Sequence, residues 1–314
     1  MPAPSTDEVL RETLSILETG KSYRETAAIL GISVGAVNER VNAAARRGIT
    51  TATEHEWTYP KVIAADVRGT VLVGSDKHGW PGVAAPMWDA FLELAHRLRP
   101  DAIVLNGDVL DCARVSRHPR RRNSAAPKVS EEIALAKRDL GELPVKPRKF
   151  WPMGNHEARL DTYVANNAPE LDDCALSLKA EFPAWQLSYG LILNGEIEIR
   201  HRWNRGIHAA YNNSLRAGVT FITGDTHRLI VTPIESRLGI RWGAESGMLA
   251  DPGGPQFEYT DGSPTRWTSG FLVLTFDDDG VMLEPEKVQW LNGRAWFRGQ
   301  AVVRSARTAT RIKT

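Results

Sequence analysis

Five short segments of this chain carry residues that bind hard or borderline metal ions. They are Asp76-Lys77-His78, Gly107-Asp108 with Asp111, Gly154-Asn155-His156-Glu157, His201, and Gly224-Asp225-Thr226-His227. Carboxylates, imidazoles and a carboxamide are the O and N donors that two divalent cations need when they sit roughly 3.5 to 4 Å apart and share a carboxylate. Such a pair lowers the pKa of a bound water and neutralises a phosphoryl group. Gly107, Gly154 and Gly224 beside the donors let the backbone turn sharply and a phosphate approach. Alone, an Asp-x-His or a single His such as His201 reads as a cap or a satisfied core group, and Asp108 and Asp111 read as helix N-caps. Five such segments in series read as a metal centre.

Each segment follows an apolar run able to position it. Val71-Leu72-Val73 and Ala102-Ile103-Val104-Leu105 are predicted buried strands, with a helix over Met87 to Leu98 between them. Phe150-Trp151-Pro152-Met153 is a third strand, weakened by a proline that cannot donate to a ladder. Ile197-Glu198-Ile199-Arg200 alternates, and Val219-Thr220-Phe221-Ile222 is β-prone. Gly270 to Phe276 followed by Asp277-Asp278-Asp279-Gly280 reads as a strand and hairpin turn. Strands alternating with helical segments predict an α/β domain whose ligands gather at the carboxyl ends of strands.

In this order, Asp76-x-His78, Gly107-Asp108-x-x-Asp111, Gly154-Asn155-His156-Glu157, His201 and Gly224-Asp225-x-His227 resemble the calcineurin-like metallophosphoesterase superfamily, over roughly Thr70 to Phe276. The resemblance implies a four-layer α-β-β-α sandwich of two mixed sheets. It implies one metal on Asp76, His78, Asp108 and His227, and a second on Asp108, Asn155, His201 and Asp225, with Asp108 bridging. By the same resemblance a metal-bridging hydroxide attacks phosphorus in line, His156 protonates the leaving oxygen, and Asp111 orients His156. The family's usual Gly-His-x-His is Gly-Asp225-Thr226-His227 here, and a carboxylate at that position favours Mn, Fe or Mg over Zn, with Mn expected first. Arg202 replaces the glycine that usually follows the family's His, which leaves His208 as a rival to His201.

The first fifty residues read as three helices. Val9, Leu10, Leu14, Ile16 and Leu17 recur at helical spacing, Ser22 with Glu25 forms a capping box, Gly31 ends the second helix and Ser33 caps a third that runs through Val37 and Val41. The spacing of Ala27, Gly31 and Val37 resembles the helix-turn-helix of bacterial regulators and recombinases. In that reading Asn38 and Asn42 meet bases while Arg46 and Arg47 meet phosphates. The unit carries six basic and six acidic side chains, so a docking or dimerisation module is the competing reading. The expected organisation is a helix-turn-helix domain over 1–50, a linker over 51–67, a metallophosphoesterase domain over 68–303 and a basic tail over 304–314.

Just past Asp111, Arg114, Arg117 and Arg120 begin a basic run that either holds substrate phosphates or is a solvated loop. Trp80, Trp203, Trp242, Trp267, Phe257 and Tyr259 fall in predicted loops, where aromatic faces stack on bases or, for most of the ten tryptophans, pack locally.

At 314 residues the chain has room for about two domains of roughly 150 residues. Its 39 Lys+Arg against 38 Asp+Glu leave a net charge of +1, so nucleic-acid affinity has to come from local patches. No apolar run approaches the roughly 18 residues of a membrane span, no signal-peptide core is visible, and Cys112 and Cys174 are too few for a disulfide framework. A cytoplasmic protein with no membrane partner is expected, and no pattern encodes its oligomeric state.

The leading functional reading is a dinuclear-metal phosphodiesterase on nucleic acid, DNA first, because chains joining such helices to this catalytic domain resemble phage and prophage proteins. A phosphomonoesterase on phosphoprotein or small metabolites is the alternative, set back by Asp111-Cys112-Ala113 where the Ser/Thr phosphatases carry Asp-Arg-Gly. A catalytically weak DNA-binding or assembly protein is the third.

Overall fold

The computed structural model describes residues 6–18, 21–46, 59–116, 126–168, 177–237 and 239–302. The chain forms two compact units, Met1–Thr58 and Tyr59–Thr314.

The first unit holds α1 (Asp7–Glu18), α2 (Tyr23–Leu30) and α3 (Val34–Arg46). The Ser22 amide donates to Glu25 Oε2 at 2.8 Å while the Glu25 amide donates to Ser22 Oγ at 3.3 Å, closing the capping box that starts α2. Gly31 ends that helix in the left-handed region at φ +64°, and Ser33 Oγ accepts from the Ala36 amide at 3.1 Å to start α3. Leu10, Ala27, Val37 and Ala44 are buried together as the core of this unit. Asn38 and Asn42 are exposed on α3, Arg46 is its last residue, and Arg47 lies outside the described residues.

The second unit runs β1 (Ile63–Ala65), β2 (Thr70–Gly74), α4 (Pro86–Leu98), β3 (Ala102–Leu105), α5 (Val129–Gly141), β4 (Arg148–Pro152), α6 (Ala158–Asn167), α7 (Leu178–Glu181), β5 (Gln186–Ser188), β6 (Leu191–Leu193) and β7 (Ile197–Arg200). It continues through α8 (Ala209–Ala217), β8 (Thr220–Thr223), β9 (Leu229–Ser236), β10 (Gly239–Ser246), β11 (Gly270–Thr275), β12 (Glu286–Leu291), β13 (Arg294–Phe297) and β14 (Gln300–Val302). One sheet has the order β1-β6-β7-β8-β10-β9 and the other β14-β13-β12-β11-β2-β3-β4-β5. Both are mixed: β2, β3, β4 and β5 run parallel, as do β7, β8 and β10, while the hairpins add antiparallel strands.

Period-two alternation of strand residues makes this a sandwich. Val71, Val73, Val104 and Phe150 of one sheet pack with Leu191, Leu193, Ile197, Ile199 and Ile222 of the other. The intervening residues Leu72, Ile103, Leu105 and Trp151 face outward against Phe91, Leu92 and Leu94 of α4 and Ile133 and Leu140 of α5. Helix α8 covers β8 and β10 on the far side. This is the four-layer α-β-β-α arrangement. No helix among the described residues is long and apolar enough to cross a membrane.

The structure differs from the sequence reading at residues 63–65 and at Trp242, which was expected in a loop and lies in β10, paired with β9 and β8. Residues 63–65, expected as linker, form β1 and pair in parallel with β6, Ile63 opposite Leu191. Three small or β-branched residues carry too little periodicity to announce a strand. Pro152 does lie in a strand, but as the last residue of β4, so its missing N–H costs the ladder little. The basic tail from 304 lies outside the described residues.

Candidate metal centre

Parallel β2, β3 and β4 all end at one edge of their sheet, and β7 and β8 end beside them in the other, so the five polar segments converge. The turns are sharp. Asp76, His78, Asp108, Asp225 and His227 all have positive φ, between 41° and 64°. For residues other than glycine this conformation costs of order 1–3 kcal/mol each, and it persists only where surrounding contacts fix it. Five of the eleven such residues among those described gather in this one site.

Much of the fixing is done by Glu157. Its fully buried carboxylate accepts from the amides of Gly154 (2.9 Å), Asp108 (3.0 Å), Val109 (2.6 Å) and Leu110 (3.2 Å), tying the turn after β3 to the turn after β4. Glycine is required at 154 for space, because a Cβ there would strike the Asp108 carboxylate and amide. At 107 the backbone has φ +78°, and a Cβ would strike the His201 ring. These glycines therefore make room for ligand side chains, a closer constraint than the phosphate approach expected from sequence.

The donor atoms face one another. His227 Nε2 lies 3.1 Å from Asp76 Oδ1 and 3.3 Å from His78 Nε2, and His78 Nε2 lies 3.8 Å from Asp76 Oδ1. His201 Nε2 lies 3.1 Å from Asp108 Oδ2, which is also 3.9 Å from His78 Nε2. Three groups could hold a cation: His78-Asp111-His156, and the pair Asp76-His78-His227 and Asp76-Asp108-His201. Asp76 belongs to both members of that pair, and Asp108 faces a histidine of each.

Imidazole tautomers are set from behind. His201 Nδ1 donates to the Asn106 carbonyl at 2.6 Å, and His78 Nδ1 donates to Asp111 Oδ1 at 2.9 Å, which aims both Nε2 atoms inward. Asp76 Oδ1, Asn155 Oδ1 and His201 Nε2 are buried without a hydrogen-bond partner among the described residues. Buried polar atoms that converge yet do not hydrogen-bond fit metal ligands, since a site serving only structure would have paired them.

Charge follows the same logic. Burial pushes the Asp76 and Asp108 carboxyls up, but His227, His201 and His156 outweigh it and hold both well below the usual carboxylate range. Burial pulls His78 and His201 down, yet the surrounding carboxylates raise both to about 10.

His156 stands at the rim. Its Nδ1 donates to the Asp111 carbonyl at 2.8 Å with Asp111 Oδ1 at 3.2 Å, and its Nε2, 3.6 Å from Asp108 Oδ2, accepts from Arg159 Nη2 at 2.9 Å. Asp225 lies with Oδ1 4.0 Å from His201 Nε2, but both its oxygens accept from the Arg205 guanidinium. The sequence rival His208 is exposed at the start of α8. Arg114 is exposed and donates from Nε to the Ala126 carbonyl at 3.2 Å, while Arg117 and Arg120 lie outside the described residues.

Residues that the sequence reading left without a role complete the site. Arg159 follows His156 by three positions at the start of α6, and Arg205 sits in the loop before α8. Glu132 of α5 accepts from the amides of Asp111 and Cys112, each at 2.8 Å. Glu157 was visible as the last residue of its motif; the others carried no local signal. A cavity of about 560 Å³ opens over the donors, lined by Asp108, Asn155, His156, Asp225 and His227, by Arg159 and Arg205, and by the aromatic rings of Trp80, Tyr259 and Trp267.

Two facing mixed sheets thus carry buried Asp-His groups that could hold metal ions at the carboxyl ends of their parallel strands. No family model matches the chain. It is similar to the Gene 54 protein of Mycobacterium phage L5, 27% identical over 224 residues, which covers 62% of this chain and 84% of the phage protein. The Gene 54 protein of Mycobacterium phage D29 is also 27% identical, over 225 residues, with the same coverage. Among solved structures, the YfcE phosphoesterase from E. coli matches 69% of this chain and 97% of its own at 16% identity, with a TM-score of 0.33. A metallophosphoesterase from Sphaerobacter thermophilus matches 71% of this chain and 89% of its own at 19% identity, with a TM-score of 0.36.

Proposed function

We propose that the chain is a dinuclear-metal phosphodiesterase acting on nucleic acid, with DNA as the first substrate to test. The observation that carries this reading is the cavity itself, which joins paired metal ligands to two arginines and three aromatic rings in one opening. Arginine forks suit phosphate oxygens and aromatic faces suit bases. A phosphomonoester needs no such aromatic wall. The relatives it matches are proteins of two mycobacteriophages, which supports a nucleic-acid substrate.

In this reading Asp76, His78, Asp108 and His227 hold one cation, and Asp108, Asn155, His201 and Asp225 hold the other, with Asp76 close to both. The cations, Mn before Fe, Mg or Zn, supply a nucleophile at neutral pH and neutralise charge developing on the phosphoryl oxygens. His156 supplies the proton for the leaving oxygen from Nε2. In the resting site that atom accepts from Arg159, so Arg159 has to turn to the substrate phosphate before Nε2 can carry a proton. Asp111 holds the opposite ring nitrogen and keeps the imidazole aimed. Asn38 and Asn42, exposed on α3, are the proposed base-reading residues of a helix-turn-helix acting in the cytoplasm, with Arg46 and Arg47 toward the phosphates.

Hydrolysis of bis-nitrophenyl phosphate and of nitrophenyl phosphate, each with Mn, tests the reading. Faster turnover of the diester, lost in Asp108→Ala, supports it. Faster turnover of the monoester would replace it with a phosphomonoesterase.

A further inference from the structure

Asp225 occupies the place of an expected metal ligand, yet its carboxylate is already taken. Arg205 donates from Nε to one oxygen and from Nη2 to the other, the two-pronged geometry in which guanidinium and carboxylate bind most strongly. Arg202 Nε adds a second positive charge 3.7 Å from Oδ1. Behind the carboxylate, the Asp225 amide donates to Asp76 Oδ2 at 3.2 Å, which fixes the residue beside the metal ligands. The Asp225 side chain is 5% exposed, whereas that of Arg205 is 55% exposed on the loop between β7 and α8. One partner is buried and the other is exposed.

Both arginines therefore stand where a second cation has to approach. A divalent ion drawing on Asp225 meets like charge at the same carboxylate, so ion and guanidinium compete. The loop that carries Arg205 is held two residues later, where Arg228 Nη1 donates to the Ile207 carbonyl at 3.3 Å, and Arg228 is anchored on fully buried Glu245 at 2.7 Å. A displaced Arg205 thus stays within the cavity that also holds Asn155, His156 and Arg159.

We infer that Arg205 is a displaceable stand-in for the second cation, pairing with Asp225 until a metal ion takes that carboxylate and then serving as a phosphate ligand in the cavity. The inference rests on the two-metal reading above. It gives the Asp225 position a consequence that a histidine there would lack, since a neutral imidazole would not hold the guanidinium. Metal occupancy and phosphate binding become linked through one side chain.

The test is calorimetric titration of the metal-free full chain with Mn, followed by titration of the Mn-loaded protein with inorganic phosphate, for the natural chain, Arg205→Ala and Arg205→Lys. The natural chain is expected to bind two Mn ions, the second more weakly. Arg205→Ala is expected to tighten the second by about tenfold or more and to weaken phosphate by a similar factor. Arg205→Lys, which keeps the charge but not the fork, is expected between the two. Because Arg205 is exposed, an unchanged thermal melting profile will show that the variants fold. Two Mn ions bound with the second unaffected or weakened in Arg205→Ala would overturn the inference while leaving the metal centre standing, as would unchanged phosphate affinity. Absence of Mn binding in the natural chain would overturn both.

Discussion

Asp111 Oδ1 accepts from His78 Nδ1 at 2.9 Å and lies 3.2 Å from His156 Nδ1, so one carboxylate orients two imidazoles, the proposed metal ligand and the proposed general acid. The sequence reading gave Asp111 only the second task. Replacement by Asn is expected to weaken Mn binding by about 10- to 100-fold, because it loosens the His78 ring and its tautomer, as well as slowing turnover. Direct titration with Mn separates the two effects. A variant with natural Mn affinity and slow turnover would confine Asp111 to His156.

Glu132 acts one step further back. Burial pushes its carboxyl up to about 7, against the pull of the Cys112 and Asp111 amides. A folded-state pKa above the unfolded value of about 4.3 means that the folded chain binds more protons between the two, so stability falls as pH rises through that interval. The slope is about 1.4 kcal/mol per pH unit at most. Glu132→Gln is expected to remove this contribution, read as the difference between urea denaturation midpoints of the metal-free proteins at pH 5 and pH 7. An identical pH dependence in both proteins would contradict it.

His78 and His201 make metal binding a proton-release reaction. Both stay protonated in the metal-free fold up to about pH 10, and an imidazolium has no lone pair for a cation. Apparent Mn affinity is therefore expected to rise between pH 6 and pH 9, with protons released on binding. The same raised pKa values stabilise the metal-free protein fully below the unfolded value of about 6.5, and this stabilisation is lost as pH climbs through about 10. Calorimetry in buffers of different ionisation enthalpy counts the protons. Affinity independent of pH would sink the linkage.

The helix trio is expected to supply DNA affinity without touching the chemistry. Removing Met1–Thr58, one of the two compact units, should leave turnover of bis-nitrophenyl phosphate within about twofold and weaken cleavage of duplex DNA. Equal DNA cleavage by the shortened chain would assign the trio to another partner.

The polar segments were legible in the sequence because they follow strands, most clearly where Ala102–Leu105 leads to Asp108 and less clearly after the proline-containing Arg148–Pro152 and the alternating Ile197–Arg200. Asp225 was legible as a position but not as a state, since its guanidinium partner lies twenty residues earlier in a loop without periodicity. Glu132 was hidden because α5 mixes Lys, Arg, Asp and Glu with its apolar residues, and a buried acid there looks like any surface charge. Arg159 follows a recognised motif, and the i, i+3 spacing at the first turn of α6 brings it to His156, a pairing that only a helix start at that point reveals. Short strands such as β1 and the β12 to β14 meander escaped for lack of a continuous apolar run.

Metal analysis of the full chain saturated with Mn and freed of excess ion tests the central claim most directly. The account predicts two Mn ions per natural chain and loss of at least one in Asp108→Ala, whose carboxylate faces a histidine of each group. A natural chain that retains no Mn, or an Asp108→Ala chain that retains two, would contradict it.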